Sequence, residues 1–255
     1  MNRNELRQRF QGVVGVTVTP FDDDFELDYG RMADLTEWWV ENGLVRGKAL
    51  LKVGSVMGEG PQMRDDEWTA LLRTTVQAAK GSASVMAGIH DKDTRRTIED
   101  AKRAQDLGAI GLQVSPPIYN DPTQDDMLRF YGAVSDAIDI GIMIYHTHWM
   151  PGGRIETETF LKMADFEHVV AIKWNAPRDV PYEDMQQLTS IFNILDNSNQ
   201  PGRCYKLGGR GFLDEQAPAY PPHDLKVLEL LESGRYDEGQ ALWDSVTVPL
   251  QVFYD

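Results

Sequence analysis

Short apolar runs separated by stretches of helical spacing recur along the whole chain. The runs are VVGVTVTP (13–20), ALLKVGS (49–55), SVMAGIH (84–90), IGLQVSPP (110–117), GIMIYH (141–146), VVAIKW (169–174), FNILDN (192–197) and the weaker GGRGFLDE (208–215). Their Val/Ile/Leu character is nearly continuous rather than alternating, the pattern of strands covered on both faces. Between them, Met32, Leu35 and Trp39 recur at i, i+3 and i+7, and Ile98, Ala101 and Leu107 form a second stripe. Leu128, Tyr131 and Ile138 form a third, behind a capped start at Thr123 and Asp126.

Eight strand–helix units with no Pro/Gly/Ser-rich linker predict an α/β chain in which residues 1–220 form a TIM (β/α)8 barrel. Spacing alone leaves an open doubly wound sheet available beside the closed barrel. LKVLELLESG and YDEGQALWDSVTVPL then predict two helices, a short helical C-terminal extension over 221–255 that includes the barrel's closing helix.

Composition narrows the partners. With 42% hydrophobic residues in 255, the chain has material for one large core. A net charge of -15, from 40 acidic and 25 basic residues, argues against nucleic acid, whose phosphates demand clustered Lys and Arg. The start MNRNELRQRF has no apolar core and no run reaches about 18 apolar residues, so neither a secretory signal nor a membrane span is expected. Cys204 stands alone, which excludes an internal disulfide or a multi-thiolate metal site and fits a cytoplasmic protein.

Candidate chemistry gathers at the carboxyl ends of the runs, the face on which barrels build active sites. Lys173 stands near the carboxyl end of VVAIKW: an amine held among apolar neighbours loses solvation of its charged form and becomes free to attack a carbonyl. A surface lysine that snorkels into solvent is the alternative. Glu59, His90, Tyr119, Tyr145, His146 and Asp196 stand at the ends of other runs. An imine-forming enzyme needs a proton shuttle beside its amine, and the Tyr145 phenol is the natural candidate, with plain packing as its alternative.

The chain resembles the dihydrodipicolinate synthase and N-acetylneuraminate lyase family from about Gly12 to its end. The resemblance is carried by GVTVTPFDDDFELD, GEGPQMRDDEW, SPPIYNDPTQDDMLRFY, the pair IYHTHW and AIKW, and LGGRGFL; the tyrosine and lysine of the pair are 28 positions apart, as in the family. It implies a TIM barrel, a class I aldolase or lyase with no cofactor and no metal, and a homotetramer. It implies that Lys173 forms an imine with a 2-oxo acid, usually pyruvate, that Tyr145 moves the protons, and that Tyr119 is supplied across a subunit interface. Ser55, Gly58, Glu59 and Leu213 are implied to shape the substrate site.

Where the pattern departs, the substrate is in question. GSVMGEG replaces the family's Gly-Thr/Ser-Thr-Gly-Glu turn, so Val56 and Met57 stand where hydroxyls usually hold the pyruvate carboxylate. Met150 occupies the place of the synthases' arginine, which argues against dihydrodipicolinate synthesis. His146, Trp149 and Trp174 suggest an aromatic mouth for an uncharged or aromatic aldehyde, although Trp174 could equally pack under a helix. Lys52 could meet a substrate carboxylate, compete as the imine amine, or point outward under a helix with its head in solvent; the last is the expectation. Two other functions stay open. One is a metal-dependent hydrolase or class II aldolase using His90, His146 and His148 with Glu59 or Asp196. The other is an inactive relative that binds a small acid.

Overall fold

Each of the eight apolar runs forms a strand: β1 (Gly12–Val16), β2 (Ala49–Val53), β3 (Ser84–Ile89), β4 (Gly111–Val114), β5 (Gly141–Tyr145), β6 (Val169–Trp174), β7 (Asn193–Asp196) and β8 (Gly211–Asp214). In the computed structural model, which describes residues 2–90, 92–117, 121–146, 148–149, 152–176 and 179–251, they pair in parallel in chain order and β8 closes onto β1. Closure decides between the two sheets that spacing left open. Parallel neighbours need crossovers rather than tight turns, and helices supply them outside the barrel.

Helix α1 (Arg3–Arg7) precedes the barrel. Around it stand α2 (Tyr29–Glu41), α3 (Asp65–Ala79), α4 (Thr94–Asp106), α5 (Gln124–Ser135), α6 (Thr157–Lys162) and α7 (Pro201–Lys206). After β6 the crossover is a 3-10 segment, Tyr182–Gln187, instead of an α-helix. The C-terminal helices are α8 (Pro221–Glu232), packed on β1, and α9 (Tyr236–Gln251), packed on α7 and α8. Among the described residues no helix is long and apolar enough to cross a membrane.

Helix α5 starts at the predicted cap, with Thr123 Oγ1 accepting from the Asp126 amide and Asp126 accepting from the Thr123 amide. Helix α4 departs from its predicted stripe. Ile98 and Leu107 are only partly buried, and the inward face carries Thr97, Asp100, Ala101 and Ala104. A carboxylate is tolerated there because Lys92 and Arg103 meet Asp100 at 2.5 and 2.9 Å.

The amino end of the barrel is sealed. Phe10 fills it, and a Cβ at Gly111 or Gly141 would fall 2.1 or 2.3 Å from Phe10 ring atoms, so both strands begin with glycine. Asn193 Nδ2 ties the plug down by donating to the Arg7 and Phe10 carbonyls at 2.7 and 2.8 Å. Above this plug Leu50, Met143, Ala171 and Leu195 pack inside the barrel, while Leu51, Ile144 and Ile172 join the outer packing under the helices. Successive strand residues alternate faces. Lys52, Tyr145 and Lys173, each two residues beyond Leu50, Met143 and Ala171, therefore point inward at the open end.

Candidate active site

At the carboxyl ends of the strands a cavity of about 240 Å³ opens between Lys52, Gln113, Tyr145, Lys173 and the turn after β2. Lys173 sits at the end of β6, 8% exposed, with its Nζ 4.0 Å from the centre of the Tyr145 ring. The two residues are direct neighbours across the β5–β6 ladder. Burial pulls the Lys173 amine down to about 8, with the charge of Glu215, which also lines the cavity, working the other way. His90 meets Tyr145 edge-on at 5.6 Å, and burial, together with Lys52 and Lys173, holds its imidazole neutral by lowering it to about 3.

Lys52 reverses its sequence expectation. It is 2% exposed, lines the cavity, and donates to Gln113 Oε1 at 3.1 Å. The outer face of β2 is covered, with Leu51 and Val53 in the packing that includes Trp68 and Leu71, so a lysine there would have no path to solvent. The inner face widens into the cavity instead. Burial first, and the Lys173 charge second, hold the Lys52 amine well below its ordinary range.

The other expected site residues divide. Ser55, Val56, Met57 and Trp149 line the cavity, and Trp149 meets the Tyr145 ring edge-on at 5.6 Å. Ser55 Oγ is buried and has no hydrogen-bond partner among the described residues. Gly58 lies behind the turn rather than in the cavity: its carbonyl accepts from Thr19 Oγ1 at 2.7 Å, and a Cβ would come 2.8 Å from the Thr17 oxygen. Glu59 is exposed and faces a separate cleft with Phe21 and Arg64. Leu213 belongs to the inner apolar packing with Val14 and Leu195. Tyr119 and Met150 lie outside the described residues.

His146 and Trp174 are corrected outright. Each directly follows an inward-facing residue, so each points out, and both border a second cavity of about 270 Å³ together with Arg154, Glu156 and Asp184. His146 packs against Phe160 and Trp174 with ring centres 5.4 and 5.8 Å away. That separation also removes the histidine metal centre, because His90 and His146 lie on opposite sides of the sheet. Asp196 is engaged by the Tyr182 hydroxyl and the Gln200 amide at 2.7 and 2.8 Å. Among the described residues no group of three His, Cys, Asp or Glu side chains could hold a metal ion.

Sequence reasoning missed Gln113, Asn175, Asn197 and Glu215, all of which line the cavity. Gln113 had a signal, a polar residue inside the apolar run IGLQV. Asn175 had one too, standing two residues past Lys173 on the same parity. The directions of Asn197 and Glu215 depend on loops that carry no periodicity.

A sequence profile described as the Dihydrodipicolinate synthetase family matches residues 9–247. The 4-hydroxy-tetrahydrodipicolinate synthase of Cutibacterium acnes is 35% identical over 93% of this chain and 80% of its own. The 4-hydroxy-tetrahydrodipicolinate synthase 1 of Halalkalibacterium halodurans is 27% identical over 90% of this chain and 77% of its own. The crystal structure of dihydrodipicolinate synthase from Thermotoga maritima superimposes with a TM-score of 0.84 at 26% identity, covering 96% of this chain and 84% of that one.

Proposed function

Since the chain belongs to the dihydrodipicolinate synthetase family, a family of lyase-type aldolases, we propose that it forms an imine between Lys173 and a 2-oxo acid of the pyruvate type. The observation that carries this reading is the buried amine of Lys173 against the Tyr145 ring at the open end of the barrel. The free amine attacks C2 of the 2-oxo acid, and a proton passes from the new ammonium nitrogen to the carbonyl oxygen, giving a neutral carbinolamine. Tyr145 relays a second proton to that hydroxyl, which leaves as water, and the nitrogen lone pair forms the protonated imine. Loss of a C3 proton leaves an enamine whose carbon adds to an aldehyde; cleavage runs the same steps backwards.

The aldehyde is read as uncharged or aromatic, in a reaction other than dihydrodipicolinate synthesis. Two features support that reading. Trp149 borders the cavity mouth, and no arginine lines the cavity among the described residues. Arg154 instead pairs with Asp179 at 2.8 Å and borders the second cavity. A homotetramer with Tyr119 completing the site across an interface belongs to the same reading.

The test is borohydride reduction in the presence of pyruvate and other 2-oxo acids, followed by peptide mapping. A stable adduct on Lys173, lost in a folded Lys173→Arg variant, is expected. An adduct that persists in that variant overturns the assignment, and binding without any adduct or turnover would reduce the chain to a small-acid binder.

A further inference from the structure

The more deeply buried amine of the cavity plays no part in the steps above. Lys52 on β2 stands across the closed eight-stranded barrel from Lys173 on β6, and among the described residues its hydrogen bond goes to a neutral acceptor, Gln113 Oε1 at 3.1 Å. Burying an amine without a counter-ion is costly, and packing alone would be served by Met or Leu. Three residues further along, Ser55 turns onto the same cavity a buried hydroxyl that has no partner among the described residues. The turn between them and Gly58 has Val56 and Met57, both about half exposed, at positions that offer no side-chain donor.

We propose that Lys52 Nζ and Ser55 Oγ together form the subsite for the substrate's carboxylate, while Lys173 takes the adjacent carbonyl carbon. The proposal rests on the imine reading and deepens it. It selects 2-oxo acids over the corresponding amides, esters and plain ketones, because only a carboxylate brings a full negative charge against the buried amine, which otherwise feels the exposed Glu215, and accepts from both Lys52 Nζ and Ser55 Oγ. Gln113 keeps one ammonium hydrogen occupied and leaves the rest to face the ligand. The charged and titratable groups around Lys52 are Lys173 on β6, Glu215 after β8, His90 after β3 and Tyr145 on β5. A carboxylate draws the proton to Lys52, and an ammonium there opposes a second ammonium on Lys173. Filling the subsite thus leaves the nucleophile in its free-amine form.

Pyruvamide, the neutral isostere of pyruvate, separates this subsite from the imine chemistry. The concentration giving half-maximal trapping at Lys173 is measured for both compounds in the wild type, Lys52→Met and Lys52→Gln. The expected result is a pyruvate preference of roughly 100-fold in the wild type that collapses in both variants through loss of pyruvate affinity alone, the scale of truncating one partner of a buried charged pair. Partial instability of a variant acts on both compounds and cancels in the ratio. Should neither variant fold, propionate against propionamide as inhibitors of trapping in the wild type gives the same ratio. An unchanged ratio in either variant, equal affinities in the wild type, or an adduct on Lys52 overturns the proposal. A wild-type adduct on Lys173 with an unchanged ratio defeats the subsite alone, whereas no adduct with any 2-oxo acid defeats the imine reading beneath it.

Discussion

The free amine of Lys173 is the quantity on which the chemistry turns, and its titration can be worked from its surroundings. Burial lowers it from 10.5 to about 8. At pH 7 the reactive fraction then rises from about 0.03% to about 10%, roughly 300-fold. With limiting pyruvamide and cyanoborohydride, the rate of labelling at Lys173 should climb about tenfold per pH unit below 8 and level off above it. Glu215→Gln removes a charge that favours the ammonium form, so the midpoint moves down. The shift is modest because Glu215 is exposed and solvent screens it. The same perturbation ties stability to pH. Between about 8 and 10.5 the folded chain holds fewer protons on this group than the unfolded chain does, so stability rises with pH across that window. Below it the full cost of a buried ammonium, on the order of 3 kcal/mol, is present, and Lys173→Met should raise Tm at pH 7. A labelling midpoint near 10.5, or an upward move in Glu215→Gln, would refute burial as the source of reactivity.

Asp214 and Asp224 face each other between β8 and α8, and burial first, then the neighbouring carboxyl, pushes Asp214 up to about 9. The folded pair holds more protons than the unfolded chain between about 4 and 9, so wild-type stability falls as pH rises through that window. Asp224→Asn should therefore gain about 1–3 kcal/mol in urea unfolding at pH 8 and nothing at pH 3; an equal effect at both would remove the carboxyl pair as its cause. Gly141→Ala puts a methyl 2.3 Å from the Phe10 ring and should cost at least about 1–3 kcal/mol, most of it recovered in Phe10→Leu/Gly141→Ala. Trp149→Ala should change KM for the aldehyde with stability unaltered, whereas Trp174→Ala should cost about 3–5 kcal/mol of stability; a KM effect confined to Trp174 would contradict their placement.

The strands were legible because a barrel strand is buried on both faces, and eight dense apolar runs are hard to produce any other way. The same density hides the phase. A half-solvated strand announces its inner face by alternation, but VVAIKW and ALLKVGS are apolar on both faces, so nothing in their composition says which way each lysine points. Once Lys173 is taken as inward, Trp174 is forced outward and cannot belong to the mouth; Tyr145 does the same to His146. Strand parity alone dictates that outward direction. Lys52 follows a different rule: the outside of a barrel strand is not close to solvent, because helices cover it. Of the two faces, only the inner one at the carboxyl end meets water, so a charged residue in the last turn of a barrel strand has its most economical position inside, pointing at the ligand. Asn197 and Glu215 fall beyond this logic, since the loops that aim them have no period, and their part in the cavity follows only from closure of the sheet.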